Sequence, residues 1–454
     1  MSGKAHRHNR RVDVRREAAF EAVRTVHSDR AYAHLVLPKI CQGMSTNDAA
    51  FITELVNGTL RYEGSYDRII VAASSRKLST LQPAVIDILR LACHEIFFMK
   101  TPPHAVVNSF VNVAIRRIGT RVSGVVNAII RRINEFTWDE WIDRLGQQMT
   151  TTERIGFAHA HPTWIVEAIA DSLGSAADQQ LEQALAANNK APIPMLAIRP
   201  GVASRDELID DNASMAAFSP WGVQRKGNPS DLVAIREGRA GVQDEGSQLV
   251  ILAAIRAAAE HKEGPWLDCC AGPGGKSSLL AGLAPQFLLS SEFAFHRAHL
   301  VAQATRVYHD RTSHQVICAD ATLPAWKMNH FALSVADVPC SGIGALRRRA
   351  EARWVKNPSE IAELIKIQRA ILRTAIESTC PGGIVAYITC SPHRAETVDI
   401  VTQANDVTIV DAPSYLDHME DVASDLDSRF IQLWPHRHGS DAMFCALLRK
   451  NPRG

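Results

Sequence analysis

Several absences narrow what the 454-residue chain can be. No apolar stretch of 18 or more residues is free of charge, so a membrane-spanning helix is not expected. The opening Met1-Ser2-Gly3-Lys4-Ala5-His6-Arg7-His8-Asn9-Arg10-Arg11 is basic but has no apolar core, so a secretory signal is not expected there. It reads as a flexible arm over residues 1–14, with nucleic-acid contact and plain solvation both open. The nine cysteines are odd in number and lack zinc-ligand spacing, and Cys269-Cys270 are adjacent. This usage fits a reducing cytoplasm better than a disulfide framework, and no metal is expected. Charge is almost balanced, with 50 basic and 48 acidic residues for a net +2, so total charge says nothing about nucleic acid. Local basic clusters matter more. Neither an internal repeat nor a low-complexity tract is present. With 46% hydrophobic and 22% charged residues, the chain reads as globular, long enough for two or three domains with separate cores.

The most informative stretch is Trp266-Leu267-Asp268-Cys269-Cys270-Ala271-Gly272-Pro273-Gly274-Gly275-Lys276-Ser277-Ser278. An apolar approach ends in an acid, turns through glycines and a proline, and re-enters a helical pattern. Glycines let backbone N–H groups approach a ligand, and a helix N-terminus favours negative charge. A triphosphate-binding loop would need glycine where Cys270 stands. A dinucleotide fingerprint would need glycine at Ser277. The remaining readings are a site for S-adenosylmethionine and a glycine-rich turn with no ligand.

From Arg15 to about Arg132 the apolar spacing is helical, with Val85 to Phe98 apolar nearly all round, as suits a central bundle helix. Pro102-Pro103 marks a break, and a new helix is expected from Asn108. Leu55-Val56-Asn57-Gly58-Thr59-Leu60-Arg61, Leu89-Arg90-Leu91, Pro102 to Asn108 and Val126-Asn127-Ala128-Ile129-Ile130-Arg131-Arg132 together resemble the NusB-type RNA-binding helical domain. His104 is expected to cap or pack. Arg116, Arg117, Arg121, Arg131 and Arg132 offer either a phosphate-contacting or a merely solvated face.

Residues 136–240 read as a small α+β connecting subdomain, with a proline-bounded strand at Pro192–Pro200. From Val242 short apolar runs alternate with amphipathic helices, the pattern of a mostly parallel, Rossmann-like α/β domain over residues 241–452. Strands are expected at 266–268, 287–292, 315–320, 331–337 and 384–390. Three of them close on acids, Glu292, Asp320 and Asp337. Ligands of open α/β sheets sit at the carboxyl ends of the strands, which would gather these acids beside the glycine-rich loop. Each could instead cap a helix. Cys340, in Asp337-Val338-Pro339-Cys340-Ser341-Gly342, and Cys390, in Thr389-Cys390-Ser391-Pro392, follow strand ends and would overlook the same crevice. A thiolate there is a competent nucleophile, and Lys276 or a helix N-terminus would help ionise it.

Gln243 to Gln248, Asp268 to Lys276, Asp337 to Gly342, Tyr387 to Ser391 and Asp441-Ala442-Met443-Phe444 follow the ordered motifs of the Nol/Nop/Sun RNA cytosine-5 methyltransferases. With the NusB-like segment at 15–135, the chain resembles the branch acting on 16S ribosomal RNA, whose signature Gly344 to Trp354 is similar to. The resemblance implies a class I methyltransferase domain using S-adenosylmethionine, held by Cys270, Ala271, Gly272, Pro273, Gly274, Gly275, Lys276, Glu292, Asp320 and Asp337. It implies Cys390 as the nucleophile toward carbon 6 of a flipped cytosine and Cys340 as the group that helps eliminate the adduct. Asp337 would hydrogen-bond the base and Lys276 would help orient it. Arg347, Arg348, Arg349, Arg353 and Trp354 are candidates for the RNA rim, with a solvated loop as the alternative. The partner implied is 16S ribosomal RNA or a small-subunit assembly intermediate. A transfer RNA substrate and a non-catalytic assembly factor are the alternatives, the latter expecting a damaged cysteine pair or cofactor loop. Two departures stand out. Ala350 replaces a usual proline, and Ala442 a usual glycine, which would strain a turn if that position required positive φ.

Overall fold

The computed structural model describes residues 13–261, 263–310 and 313–452. Residues 1–12 of the expected basic arm lie outside them. The chain divides into two compact units, one running to Val166 and including Arg349–Val355, the other comprising Glu167–Arg348 and the chain from Lys356.

The first unit is helical: α1 (Val14–Asp29), α2 (Ala33–Ile40), α3 (Thr46–Ser74), α4 (Pro83–Phe98), α5 (Pro103–Arg117), α6 (Ser123–Ile133), α7 (Trp138–Gly146) and α8 (Thr151–Ala158). Local chemistry sets the starts. Asp13 and Ser45 cap α1 and α3 by accepting backbone N–H groups, and Thr137 with Glu140 and Thr150 with Glu153 form reciprocal capping boxes. Pro83 and Pro103 occupy first-turn positions, where a missing N–H costs nothing. The helix expected from Asn108 therefore begins at Pro103. His104, expected to cap or pack, is exposed in that first turn, and no side chain caps α5.

The core of this unit is built on α3 and α4, whose Ile52, Leu55, Leu60, Tyr66, Ile69, Ile88, Leu89 and Leu91 are buried. Several polar side chains pair within it. Arg16 meets Glu95, His27 Nδ1 lies 2.8 Å from Asp87, and Arg90 forms a fork with Asp67. The short helix α15 (Ala352–Val355) is counted with this unit.

The division at Val166 falls within α9 (Thr163–Leu173), and in the second unit α10 (Ala177–Asn188) leads to a four-stranded antiparallel sheet. Its strands are β1 (Met195–Ile198), β2 (Ala213–Met215), β3 (Gly222–Arg225) and β4 (Ala240–Val242), ordered β2-β3-β1-β4, with the short α11 (Val233–Arg236) before β4. The larger sheet follows α12 (Glu245–His261). It comprises β5 (Trp266–Asp268), β6 (Leu288–Glu292), β7 (His314–Cys318), β8 (Phe331–Asp337), β9 (Thr379–Thr389), β10 (Val407–Val410), β11 (Ile431–Gln432) and β12 (Phe444–Lys450). Between them run α13 (Gly275–Leu283), α14 (Phe295–Thr305), α16 (Ile361–Ser378), α17 (Val398–Val401) and α18 (Pro435–His438).

The order is β10-β12-β9-β8-β5-β6-β7, with β11 on β12. Strands β5 to β9 pair in parallel, whereas β12 runs antiparallel to β9 and β10. Continuous burial along β6 and along β8 as far as Ala336 suits parallel strands covered on both faces. The antiparallel strands beyond Cys390 are additions to the parallel set read from sequence. Because β5, β6, β8 and β9 point the same way, the ends bearing Asp268, Glu292, Asp337 and Cys390 emerge on one edge. Asp320 follows two residues after β7.

Gly58 shows how tightly the helical core is filled. A Cβ there would land on the His94 imidazole, itself buried. Gly58→Ala should destabilise this unit by about 1–3 kcal/mol through overpacking. Thermal unfolding should show a lowered midpoint; an unchanged midpoint would mean that His94 moves aside without cost.

Candidate active site

The glycine-rich turn joins β5 to α13. Gly274 takes φ 106° as the N-cap of α13, a left-handed conformation suited to glycine. A Cβ on Gly272 would run into the Glu292 carboxylate. That approach lets Glu292 Oε2 accept the Gly272 N–H at 2.9 Å while Oε1 accepts from Ala294 at 3.1 Å. Arg297 donates to the Gly272 carbonyl at 2.6 Å, fixing the turn from outside. Asp320 Oδ1 accepts from the backbone N–H and hydroxyl of Thr322. Beside these acids two apolar side chains that sequence reasoning did not single out stand exposed, Phe293 at 74% and Leu323 at 75%. Acids next to bare apolar surfaces fit a ligand with a ribose diol and a planar base.

Asp268, the last residue of β5, is fully buried. Its Oδ2 accepts from Ser277 Oγ at 2.6 Å and its Oδ1 from the Cys270 N–H at 3.3 Å, tying the strand end to the helix start. Burial nonetheless raises its pKa to about 7.

The register of β8 on β9 pairs Asp337 with Ile388, so the loops after the two strands run side by side. They bring Cys340 Sγ and Cys390 Sγ to 3.3 Å. The two thiols are not equivalent. Hydrogen bonding from Cys340 favours the Cys390 thiolate and lowers its pKa, with the nearby Lys276 charge acting in the same sense against burial. For Cys340 that hydrogen bond and then burial push the pKa well up, so it remains a thiol. Lys276 Nζ lies 2.8 Å from Asp337 Oδ2. Burial pulls the ammonium pKa down, but Asp337 more than offsets it and the net shift is upward. The structure thus brings together Cys390, Cys340, Asp337 and Lys276 beside Cys270, Ala271 and the turn.

The arginine-rich stretch behaves differently from its sequence reading. Arg347 is buried, donating to the Gly439 carbonyl at 2.8 Å and lying 3.3 Å from Asp244 and 3.5 Å from Asp441. Arg348, more exposed, is clamped by Asp441, with Nε 2.8 Å from Oδ2. Arg353 is fully buried and donates to the Ala160 carbonyl at 2.9 Å. Trp354 Nε1 donates to the carbonyls of Leu60 and Arg61 at 3.0 and 3.2 Å. Arg347 and Arg353 therefore serve the protein interior rather than an RNA rim, and the Trp354 donor is spent on backbone. Arg349 is exposed with its guanidinium over the Tyr32 ring. Arg131 and Arg132 are exposed, whereas Arg116 and Arg117 pair with Glu17 and Glu21.

Asp244, in the Gln243–Gln248 motif, accepts the Asp441 N–H at 2.9 Å, and its pKa is raised to about 6 by burial and by Asp441. Gly344 explains part of the signature: a Cβ there would collide with the Ala442 carbonyl and crowd that of Cys390. Ala442 is absent from the positive-φ positions, so the conditional expectation of strain there is not met. Sequence reasoning missed Glu396, whose carboxylate lies behind both cysteine loops; an acid six positions after Cys390 carries no signal by itself.

Asp268 gives a pH test. Between about pH 4, the ordinary carboxyl value, and pH 7 the folded chain keeps a proton that the unfolded chain has lost. Its contribution to stability therefore falls as pH rises through that window and is constant above it. Asp268→Asn removes the effect, so the variant should gain stability relative to wild type between pH 5 and pH 8 in denaturant titrations. A difference independent of pH would contradict the buried, protonatable carboxyl.

The model of the NusB family matches residues 13–135, and that of the 16S rRNA methyltransferase RsmB/F matches residues 255–449. A Mycobacterium tuberculosis protein provisionally named a methyltransferase is 41% identical over 451 residues, covering 97% of each chain. The ribosomal RNA small subunit methyltransferase B of Vibrio cholerae is 26% identical over 459 residues, covering 97% of this chain and 98% of its own. Among solved structures, PH0851 shares the fold with a TM-score of 0.77 at 20% identity, over 96% of this chain and 98% of its own. NSun6 of Pyrococcus horikoshii does so at 0.54 and 14% identity, over 65% of this chain and 100% of its own. The chain belongs to the RsmB/F family of S-adenosylmethionine-dependent RNA methyltransferases, with a NusB-family region ahead of the methyltransferase region.

Proposed function

We propose that the protein forms 5-methylcytosine at one cytosine of 16S ribosomal RNA through a covalent cysteine–cytosine adduct. The observation that carries this reading is the pair of sulfurs 3.3 Å apart, one biased toward thiolate and one toward thiol, beside the Lys276–Asp337 ion pair. Carbon 5 of cytosine is a poor nucleophile until addition at carbon 6 breaks the ring's aromaticity, and a soft thiolate is suited to that addition. Cys390 is the attacking sulfur. The Asp337 carboxylate, kept in place by Lys276, accepts from the exocyclic amine, and the Lys276 ammonium donates to the ring nitrogen as negative charge moves onto it. Solvent water takes the carbon 5 proton as the ring double bond re-forms and the carbon–sulfur bond breaks, and Cys340, still protonated, donates to the departing Cys390 sulfur.

S-adenosylmethionine, when bound, supplies the electrophilic methyl group. The chain from Cys270 through Ala271, Gly272, Pro273, Gly274 and Gly275 to Lys276 would hold it together with Glu292, Asp320 and Asp337. Phe293 and Leu323 would cover its base. The target must leave its stack to reach the crevice. Arg131, Arg132, Arg348 and Arg349 remain as surface cations able to meet phosphates. The named activity of the Vibrio cholerae relative favours ribosomal over transfer RNA. The retained cysteine pair and loop argue against a non-catalytic assembly factor.

Incubation with labelled S-adenosylmethionine and unmodified 16S RNA, followed by mapping of 5-methylcytosine, tests the reading. Cys390→Ala should lower methyl transfer at least about a thousandfold, as loss of a covalent nucleophile does. Cys340→Ala should leave a protein–RNA adduct that survives denaturation. Transfer that persists in Cys390→Ala would overturn the assignment, and transfer to transfer RNA alone would overturn the substrate.

A further inference from the structure

Behind the two cysteines lies a buried carboxylate without a cation. Glu396 is fully buried, and among the described residues no lysine, arginine or histidine forms an ion pair with it. Four donors converge on it instead. Oε1 accepts from the Ser341 N–H at 2.8 Å and Gln368 Nε2 at 3.0 Å; Oε2 accepts from Ser341 Oγ at 2.5 Å and Ser391 Oγ at 2.7 Å. Ser341 follows Cys340 in the chain, and Ser391 follows Cys390. One side chain therefore grips the residue next to each reactive sulfur.

The grip is itself anchored. The Glu396 carbonyl accepts from Tyr387 Oη at 2.9 Å, which fixes its turn to β9. Gln368 on α16 also donates to the Pro339 carbonyl at 2.9 Å, so the Cys340 loop is held on both sides of the cysteine. A buried charge is costly unless its acceptor sites are filled, and this one is filled entirely by the two loops and the helix beside them.

We propose that Glu396 is a positioning residue that sets the distance between Cys340 and Cys390 by binding Ser341 and Ser391 together, and so couples attack by one sulfur to release by the other. The proposal rests on the two-cysteine reading above. It places Glu396 away from the substrate, acting only through the cysteine loops. The requirement is for hydrogen bonds rather than charge. A glutamine can keep its oxygen toward Ser341 N–H and Gln368 while its amide donates to both serine oxygens.

The test compares Glu396→Ala, Glu396→Gln and the milder Ser391→Ala in the full-length protein, using 16S RNA, S-adenosylmethionine and a small alkylating reagent. Glu396→Ala should lower kcat by about 10–100-fold, the scale of an ångström-sized misplacement, with KM for RNA and cofactor affinity within about threefold. It should also accumulate protein–RNA adduct, because Cys340 no longer meets the bond it helps to break. Glu396→Gln should restore most of the turnover, and Ser391→Ala should show the same kcat-only pattern at smaller size. Alkylation of Cys390 at neutral pH, followed by peptide mass spectrometry, should slow in Glu396→Ala as the Cys340 hydrogen bond is lost.

Wild-type turnover and unchanged Cys390 alkylation in folded Glu396→Ala would overturn the proposal. So would a loss shared equally by kcat and cofactor affinity, or Glu396→Gln as damaging as alanine. Alkylation needs no RNA, so the positioning role is tested even if wild type methylates no cytosine, a result that would instead overturn the reading on which the proposal rests.

Discussion

Parallel pairing of β8 with β9 is the constraint on which the site depends. With Asp337 opposite Ile388, the two strands end almost level, and the segments that leave them have no room to diverge. The sulfurs meet because the strands are adjacent, parallel and in that register. A slip of one residue would reverse the face of every side chain on one strand and separate them. Antiparallel β12 adds a further wall, for its Phe444 pairs with Thr389 immediately before Cys390. Asp441, just before that strand, reaches the arginines of the segment after Cys340. Fold and site are thus held by the same hydrogen bonds.

Electrostatics then distinguish groups that geometry alone would leave alike. Two thiols in contact share one favourable arrangement, with one donating and the other ionised: the hydrogen bond from Cys340 favours the Cys390 thiolate, and the Lys276 charge acts in the same sense. Lys276 in turn is held by Asp337, so a cation and an anion are stored beside the sulfur in a partly buried crevice. Asp268 forms no ion pair with either of them. It spends its oxygens on the turn and, buried without a cation of its own, stays easy to protonate.

Much of this was legible in the sequence, for physical reasons. Strand β8 was readable to the residue because its apolar run ends in Asp337, and the β5 turn because glycines and proline have few alternative uses. The helical first unit followed from its 3.6-residue periodicity. The start of α5 was misplaced because two prolines were read as a break, although the second occupies a helical first turn without penalty. The strands after Cys390 were not singled out: Val407–Val410 is short, and the apolar residues of Phe444–Lys450 follow a motif read for function rather than for structure. Arg347 and Arg353 were the main loss. A run of Arg347, Arg348, Arg349 and Arg353 looks like a phosphate-binding rim, but burial depends on long-range partners such as Asp244, Asp441 and the Ala160 carbonyl, which spacing cannot reveal. Glu396 was invisible for the same reason.

The central claim is that Cys340 remains a thiol and, by donating to Cys390, makes Cys390 the ionised sulfur. The pH dependence of alkylation at each cysteine, resolved by peptide mass spectrometry in wild type and Cys340→Ala, tests it most directly. Cys390 should react faster than Cys340 at neutral pH, and its reactivity should shift to higher pH when Cys340 is removed. Faster reaction at Cys340, or an unchanged Cys390 profile in the variant, would contradict the account.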